Sequence, residues 1–248
     1  AGVAVALGVF AIVAIGLMSV GAQGQAQTTH HSALPQITTG GQTDWPQHNY
    51  DVQGGRYSPL DEINASNVGR LALSWSFEAG AGNSISQVTP LVVDGVMYLN
   101  AGSTLFAVNA ITGETVWTLE LDQDLSARGR GPAYGDGRLY AFGGATMYAT
   151  DVKTGELVDT FGNGGRLEIV SDALRFKYPD SYPPDFDGYE LGYRLTTPPV
   201  YFDNMLYTGV ALSENNIPGG LVIASDATTG ATKWVFNTVP QRPTDDGW

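Results

Sequence analysis

One unit of eleven residues occurs three times in this chain, and it narrows the possible folds more than any other feature. Ala107-Val-Asn-Ala-Ile-Thr-Gly113-Glu-Thr-Val-Trp117 aligns without gaps with Ala149-Thr-Asp-Val-Lys-Thr-Gly155-Glu-Leu-Val-Asp159 and Ala224-Ser-Asp-Ala-Thr-Thr-Gly230-Ala-Thr-Lys-Trp234. A second unit precedes each copy: TPLVVDGVMY at 89–98, GPAYGDGRLY at 131–140 and PPVYFDNMLY at 198–207. Asp94 and Asp136 are 42 residues apart, as are Ala107 and Ala149. Ala149 to Ala224 is 75, which implies an insertion of about 30 residues before the third copy. A partial fourth copy, LALSWSFEAG at 71–80, supplies only the strand that carries the tryptophan.

Each unit has a physical reading. An apolar run, an Asp-Gly pair and a second apolar run make a β-hairpin. The A-x-D-x-x-T-G-x-x-x-W unit makes another. Its Asp accepts backbone N–H groups within the turn, and its Gly supplies a positive φ. The Trp is a large apolar plug that can fill the gap between neighbouring sheets. Four strands in about 42 residues is the spacing of a β-propeller blade. The expected fold is therefore all-β: a partial propeller of three to four four-stranded antiparallel blades over residues 44–248. The insertion, roughly 162–196, is dense in Tyr, Phe, Pro and Asp. It is read either as a functional or partner-covered segment or as a self-packed surface loop.

Composition removes several function classes. The chain has 248 residues and a net charge of −13, the wrong sign for a phosphate backbone, so no nucleic-acid partner is expected. It contains no cysteine, which excludes disulfides, thiolate metal sites and thiol catalysis. Residues 1–22, AGVAVALGVFAIVAIGLMSVGA, hold no charge and no proline. As a helix they span ~33 Å, enough for a bilayer core. A transmembrane anchor is expected there, since the run exceeds an ordinary signal-peptide core. A secretory signal cut near Ala22 or Ala26 is the other reading. Either way the remainder is expected to be exported, membrane-anchored under the first reading, and periplasmic. Residues 23–43 form a polar linker, whose His30-His31 pair is read as solvated rather than as a metal site.

Residues from Trp45 onward add a resemblance to the repeats. The pattern W-x(10)-R-Y-S-P-L-D-x-I-N-x-x-N-V, Trp45 to Val68, resembles the start of the type I quinoprotein dehydrogenases, and the W-V-F-N-T-V-P run at 234–240 is similar as well. These are eight-bladed propellers that bind pyrroloquinoline quinone (PQQ) and calcium and oxidise alcohols or sugars. The likeness covers only their first three to four blades. It implies that Arg130 of Arg130-Gly131, and Thr196 or Thr197, approach the quinone, and that Glu214 ligates calcium. It also aligns Trp248 with a tryptophan that stacks under the quinone.

The chain departs from that pattern in several places. Gln87 stands where a glutamate usually touches the quinone, the usual adjacent cysteines are missing, and Pro218 falls near an expected arginine. The family's asparagine ligand and aspartate base belong to later blades. One carboxylate cannot satisfy a calcium ion, which takes about six to eight oxygens. Asp185 and Asp187 in the insertion are the remaining candidates for a base. The first expectation is thus a non-catalytic, membrane-anchored structural subunit of a respiratory or photosynthetic electron-transfer complex. Its partners would be other subunits and the bilayer, and it would have no catalytic residue, cofactor or metal. The alternative is the N-terminal portion of a PQQ- and calcium-dependent alcohol or sugar dehydrogenase, with Arg130, Thr197 and Glu214 at the cofactor. A soluble binding module with a cleaved signal is the third.

Overall fold

The computed structural model describes residues 44–80, 85, 87–121, 130–195, 197–210 and 219–248. Three four-stranded antiparallel sheets follow one another along the chain. Blade one is β1 Leu91–Val93, β2 Val96–Ala101, β3 Thr104–Asn109 and β4 Thr115–Glu120. Blade two is β5 Ala133–Gly135, β6 Arg138–Gly143, β7 Thr146–Asp151 and β8 Arg166–Leu167. Blade three is β9 Val200–Phe202, β10 Met205–Val210, β11 Leu221–Asp226 and β12 Thr232–Asn237. Each sheet is ordered as the chain runs, first strand to fourth. This is the partial propeller expected from the repeats, with three blades among the described residues.

The turns form for the reasons read from the repeats. Asp94-Gly95 and Asp136-Gly137 take positive φ at both positions, 50° with 75° and 49° with 72°. Asp203-Asn204 does the same without glycine, at 49° and 56°. Paired positive φ matches the right-handed twist of the flanking strands. In the second hairpins, Oδ1 of Asn109, Asp151 and Asp226 each accepts two N–H groups, two and three residues on. The N–H of Gly113, Gly155 and Gly230 closes each loop onto the Asx carbonyl.

The blades meet through apolar faces. Tyr98, Leu105, Ala107 and Trp117 of blade one pack on Leu139, Ala141, Tyr148 and Val152 of blade two. Trp117 is only 1% exposed, and its ring lies against Gly155, where an added Cβ would sit 2.7 Å from ring carbon. Trp75 lies on Gly113 with the same 2.7 Å approach. Blade two has the exposed Asp159 where the repeat places a tryptophan, and Leu167 covers Gly230 instead.

Two expectations need correction. Residues 71–80 carry Trp75 into its expected seat, yet they belong to no strand. Trp75, Phe77 and Ala79 pack side chains on the face of blade one, and among the described residues no strand pairs with this segment's backbone. The fourth strand of blade two is β8, inside the predicted insertion, because Leu157 makes only an isolated bridge to Thr150. The insertion itself is packed rather than loose. Its helix α1, Ile169–Lys177, buries Ile169, Val170, Ala173 and Leu174 in the core shared by blades two and three.

A polar latch holds α1 to the C-terminal segment. The Tyr178 hydroxyl contacts both oxygens of the buried Asp245, at 2.7 and 2.8 Å. Asp245 also accepts the N–H groups of Gln241 and Arg242 and pairs with Lys177 at 3.4 Å. Burial pushes the Asp245 carboxyl up, but these hydrogen bonds outweigh it and hold the group below its ordinary value. Burial pushes the Tyr178 phenol up to about 12.

The transmembrane expectation at 1–22 and the linker at 23–43, with His30-His31, lie outside the described residues. Among the described residues no helix is long and apolar enough to cross a membrane.

Two measurements test these contacts. Trp117→Ala is expected to destabilise the fold by about 3–5 kcal/mol, read by chemical denaturation. Asp245→Asn is expected to cost about 2 kcal/mol near neutral pH, where the charged acceptor is in use. A depressed carboxyl stabilises above its unfolded pKa of about 4, and that stabilisation is lost as pH falls through the folded value. The gap in melting temperature between wild type and Asp245→Asn should therefore close on acidification.

Candidate functional site

The three inner strands begin at equivalent points, and the residues just before them converge. β1, β5 and β9 start at Leu91, Ala133 and Val200, so Val88, Arg130 and Thr197 occupy matching positions ahead of them. The Thr89 N–H donates to the Arg130 carbonyl at 3.0 Å, joining the first two of these approaches. The Arg130 guanidinium reaches the Thr197 hydroxyl at 3.5 Å, joining the second to the third. Both side chains are exposed. Gly131 makes the close approach possible: its φ is 109°, and a Cβ there would lie 2.5 Å from the Thr89 carbonyl oxygen.

The leading segment adds residues to the same end. The Trp45 N–H donates to the Val92 carbonyl and the Val92 N–H to the Trp45 carbonyl, at 2.7 and 3.0 Å. Asp44 accepts the Asp94 N–H at the hairpin end of β1. The chain therefore runs antiparallel along β1 and carries Gln47 and His48 toward the approaches. There they line a cleft of about 140 Å³ with Asp51, Tyr134, Thr197 and Tyr201 among its walls. Gln47 bonds the Tyr201 carbonyl at 3.4 Å, tying the segment to blade three.

Burial lowers the His48 imidazole below its ordinary value. A backbone contact at Arg130 works against this, and the charges of Arg130 and Arg56 work with it. The cleft wall thus presents the Thr197 hydroxyl, the His48 imidazole and the Asp51 carboxylate, with the Arg130 guanidinium 3.5 Å from the Thr197 hydroxyl. The guanidinium fork of Arg130, beside Thr197, is the element that suits an anionic or carbonyl-bearing ligand.

The residues named from sequence fall out unevenly. Arg130 and Thr197 are brought together. Thr196 and Glu214 lie outside the described residues, so the structure places no calcium ligand. Among the described residues no group of three or more His, Asp or Glu side chains could hold a metal ion. Gln87 is exposed on the approach to β1. Asp185 and Asp187 are exposed in the insertion, where Asp187 accepts the Tyr189 N–H. Trp248 is 69% exposed in the turn built on Asp245 and is not part of the cleft wall. Sequence reading missed Gln47, His48 and Tyr201. The signal for the first two was their place directly after Trp45, in a segment with no repeat of its own.

Residues 45–248 match the family described as PQQ: Glucose/ethanol/alcohol dehydrogenase, beta-propeller domain. The chain belongs to this family. It is 31% identical over 201 residues to the quinohemoprotein alcohol dehydrogenase of Comamonas testosteroni, covering 81% of this chain and 26% of that protein. It is 33% identical to the dehydrogenase subunit of the quinone alcohol dehydrogenase of Gluconacetobacter polyoxogenes, covering 79% and 26%. The crystal structure of the Comamonas testosteroni enzyme superposes with a TM-score of 0.63 at 30% identity, over 82% of this chain and 28% of that one. The chain thus spans about a quarter of the length of these relatives.

These findings correct one expectation. A chain with no cofactor was expected because Glu214 alone cannot hold calcium, no base was identified and the blades are too few to assemble the site. The family is named for PQQ, and the relatives are named as quinone enzymes. The Arg130–Thr197 pair supplies donors that fit an acidic quinone.

Gly131→Ala checks the approach. It forces a Cβ against the Thr89 carbonyl at a strained φ, and a loss of about 1–3 kcal/mol of stability is expected from thermal unfolding.

Proposed function

We propose that residues 44–248 form the leading part of the propeller of a PQQ- and calcium-dependent dehydrogenase that oxidises an alcohol or a sugar. The carrying observation is the Arg130–Thr197 pair, held at 3.5 Å where the inner strands begin, in a chain of the PQQ family. PQQ, when bound, supplies the two-electron oxidant for the carbinol carbon. Arg130 offers its planar fork to a carboxylate or carbonyl oxygen of the quinone. Thr197 adds a hydroxyl beside it. The Thr89–Arg130 backbone bond fixes where the guanidinium starts. His48, whose imidazole burial lowers below its ordinary value, lines the cleft wall. Glu214 is the candidate calcium ligand by resemblance alone. The proton-accepting base and the other calcium ligands are expected from the length of the relatives that this chain does not span.

The apolar run at 1–22 supports an exported, periplasmic protein anchored in a bilayer. A structural subunit of a membrane electron-transfer complex is the second reading. It is favoured by Gln87 in place of the glutamate and by the absence of cysteine. The family match and the Arg130–Thr197 pair support the dehydrogenase reading better.

The test is titration of the full-length protein with PQQ in the presence of calcium, followed by tryptophan fluorescence. One PQQ per chain is expected. Arg130→Ala is expected to weaken binding about 10–100-fold, from loss of charged hydrogen bonds of about 1.5–3 kcal/mol. Absence of PQQ from the isolated protein, with no binding on addition, would favour the structural subunit.

A further inference from the structure

The end of the propeller that carries Arg130 and Thr197 also receives the insertion and the C-terminal segment. In blade three Val210 pairs with Leu221 and Leu221 with Asn237, while Val200 pairs with Tyr207 and Phe202 with Met205. β12 therefore finishes at the end where β9 begins. In blade two Met147 pairs with Leu167, next to the Gly143–Thr146 pair, so β8 finishes at the matching end. The insertion that follows β8 and the segment that follows β12 both leave from the end where the inner strands start.

One buried carboxylate joins these two segments. Asp245 takes the Tyr178 hydroxyl from the insertion and the N–H groups of Gln241 and Arg242 from its own segment. Asn237 Nδ2, at the end of β12, donates to the same hydroxyl at 3.1 Å. Arg242 closes the network: its guanidinium lies 4.4 Å from the centre of the Tyr178 ring and donates to the Ser181 hydroxyl at 2.6 Å. The main chain of Trp248 is attached to this network. Its N–H donates to the Asp245 carbonyl at 3.2 Å, and the Asp245 N–H donates to the Arg242 carbonyl at 2.9 Å. An apolar contact could bury the same surface, but a directed network selects one arrangement of the two segments.

We infer that Tyr178 and Asp245 are positioning residues of the quinone site, acting through Trp248. This rests on the dehydrogenase reading proposed above. The resemblance already aligns Trp248 with a tryptophan under the quinone, and the new element is its anchor. The insertion between blades two and three reaches the turn that carries this indole and fixes it at the end where Arg130 and Thr197 meet. The two sides of the site are then set independently: Arg130 by its backbone bond from Thr89, and Trp248 by the carboxylate of Asp245. A binding site works only when its members are held to about 0.5 Å. An indole on an untethered segment is not held so, and the latch supplies the tether.

The test uses the full-length protein and has two readouts. Without PQQ, amide hydrogen exchange is followed over residues 241–248. Tyr178→Phe and Asp245→Asn should each raise it about tenfold, while β2 and β3 exchange as in wild type, which separates a loosened segment from an unfolded chain. With PQQ and calcium, each substitution should weaken binding about 5–10-fold. In a Trp248→Ala background neither should weaken it further, because their effect passes through the indole, whereas a merely structural role gives additive losses. Unchanged exchange at 241–248 would overturn the inference. So would equal PQQ affinity in wild type and the latch variants, or additive losses with Trp248→Ala. A wild type that binds no PQQ overturns the dehydrogenase reading and the role toward the quinone with it, and the exchange readout then still decides whether the latch anchors Trp248.

Discussion

The seating of an indole on a turn glycine sets the spacing of the blades, and the remaining contacts build on it. At Gly113 and Gly155 the ring lies where a Cβ would be, so any other residue would hold the sheets apart. The same glycines need positive φ, at 77° and 74°, to close the Asx turn. One residue type therefore satisfies a local and a long-range demand together, which is the agreement between levels expected of a foldable sequence. At Gly155 the indole N–H of Trp117 also donates to the Val152 carbonyl of that turn, so apolar burial and a directed hydrogen bond select the same register there.

Where the pattern lapses, the structure shows what replaces it. Asp159 interrupts the tryptophan series, and blade two takes its fourth strand from Arg166–Leu167 instead. Leu167 then covers Gly230 with looser contacts, 3.2 Å from the would-be Cβ rather than 2.7 Å. Helix α1 and the Tyr178–Asp245 latch reinforce this same junction from outside. The insertion thus stands where the regular blade contact is weakest, and its buried apolar residues continue the core of blades two and three.

The fold was legible because the repeat is local. Asp-Gly pairs, Asx turns and docking tryptophans act within a few residues or between adjacent blades, and each leaves a fixed spacing in the chain. Arg130 and Thr197 were legible only by resemblance, since no spacing rule links residues 67 positions apart. Gln47 and His48 left no periodic trace, because they are placed by one bridge between Trp45 and Val92 and by single side-chain bonds at Asp44 and Gln47. The outer strand of blade two was misplaced because its turn signal, Thr154-Gly155, promised a strand that Asp159 could not seal against the next blade.

The division between frame and site has a physical basis. Residues within the repeat are constrained from two sides: by the ladder in their own sheet and by the face of the next. Residues just before each inner strand are constrained on one side only, by backbone bonds such as that from Thr89 to Arg130. Their side chains are free to differ from blade to blade, and they do: valine, arginine and threonine occupy the three matching positions. A propeller can therefore change what gathers at that end without disturbing how its blades pack. The departure at Gln87 falls on this permissive end, so the chain can keep the family's frame intact while differing from it there.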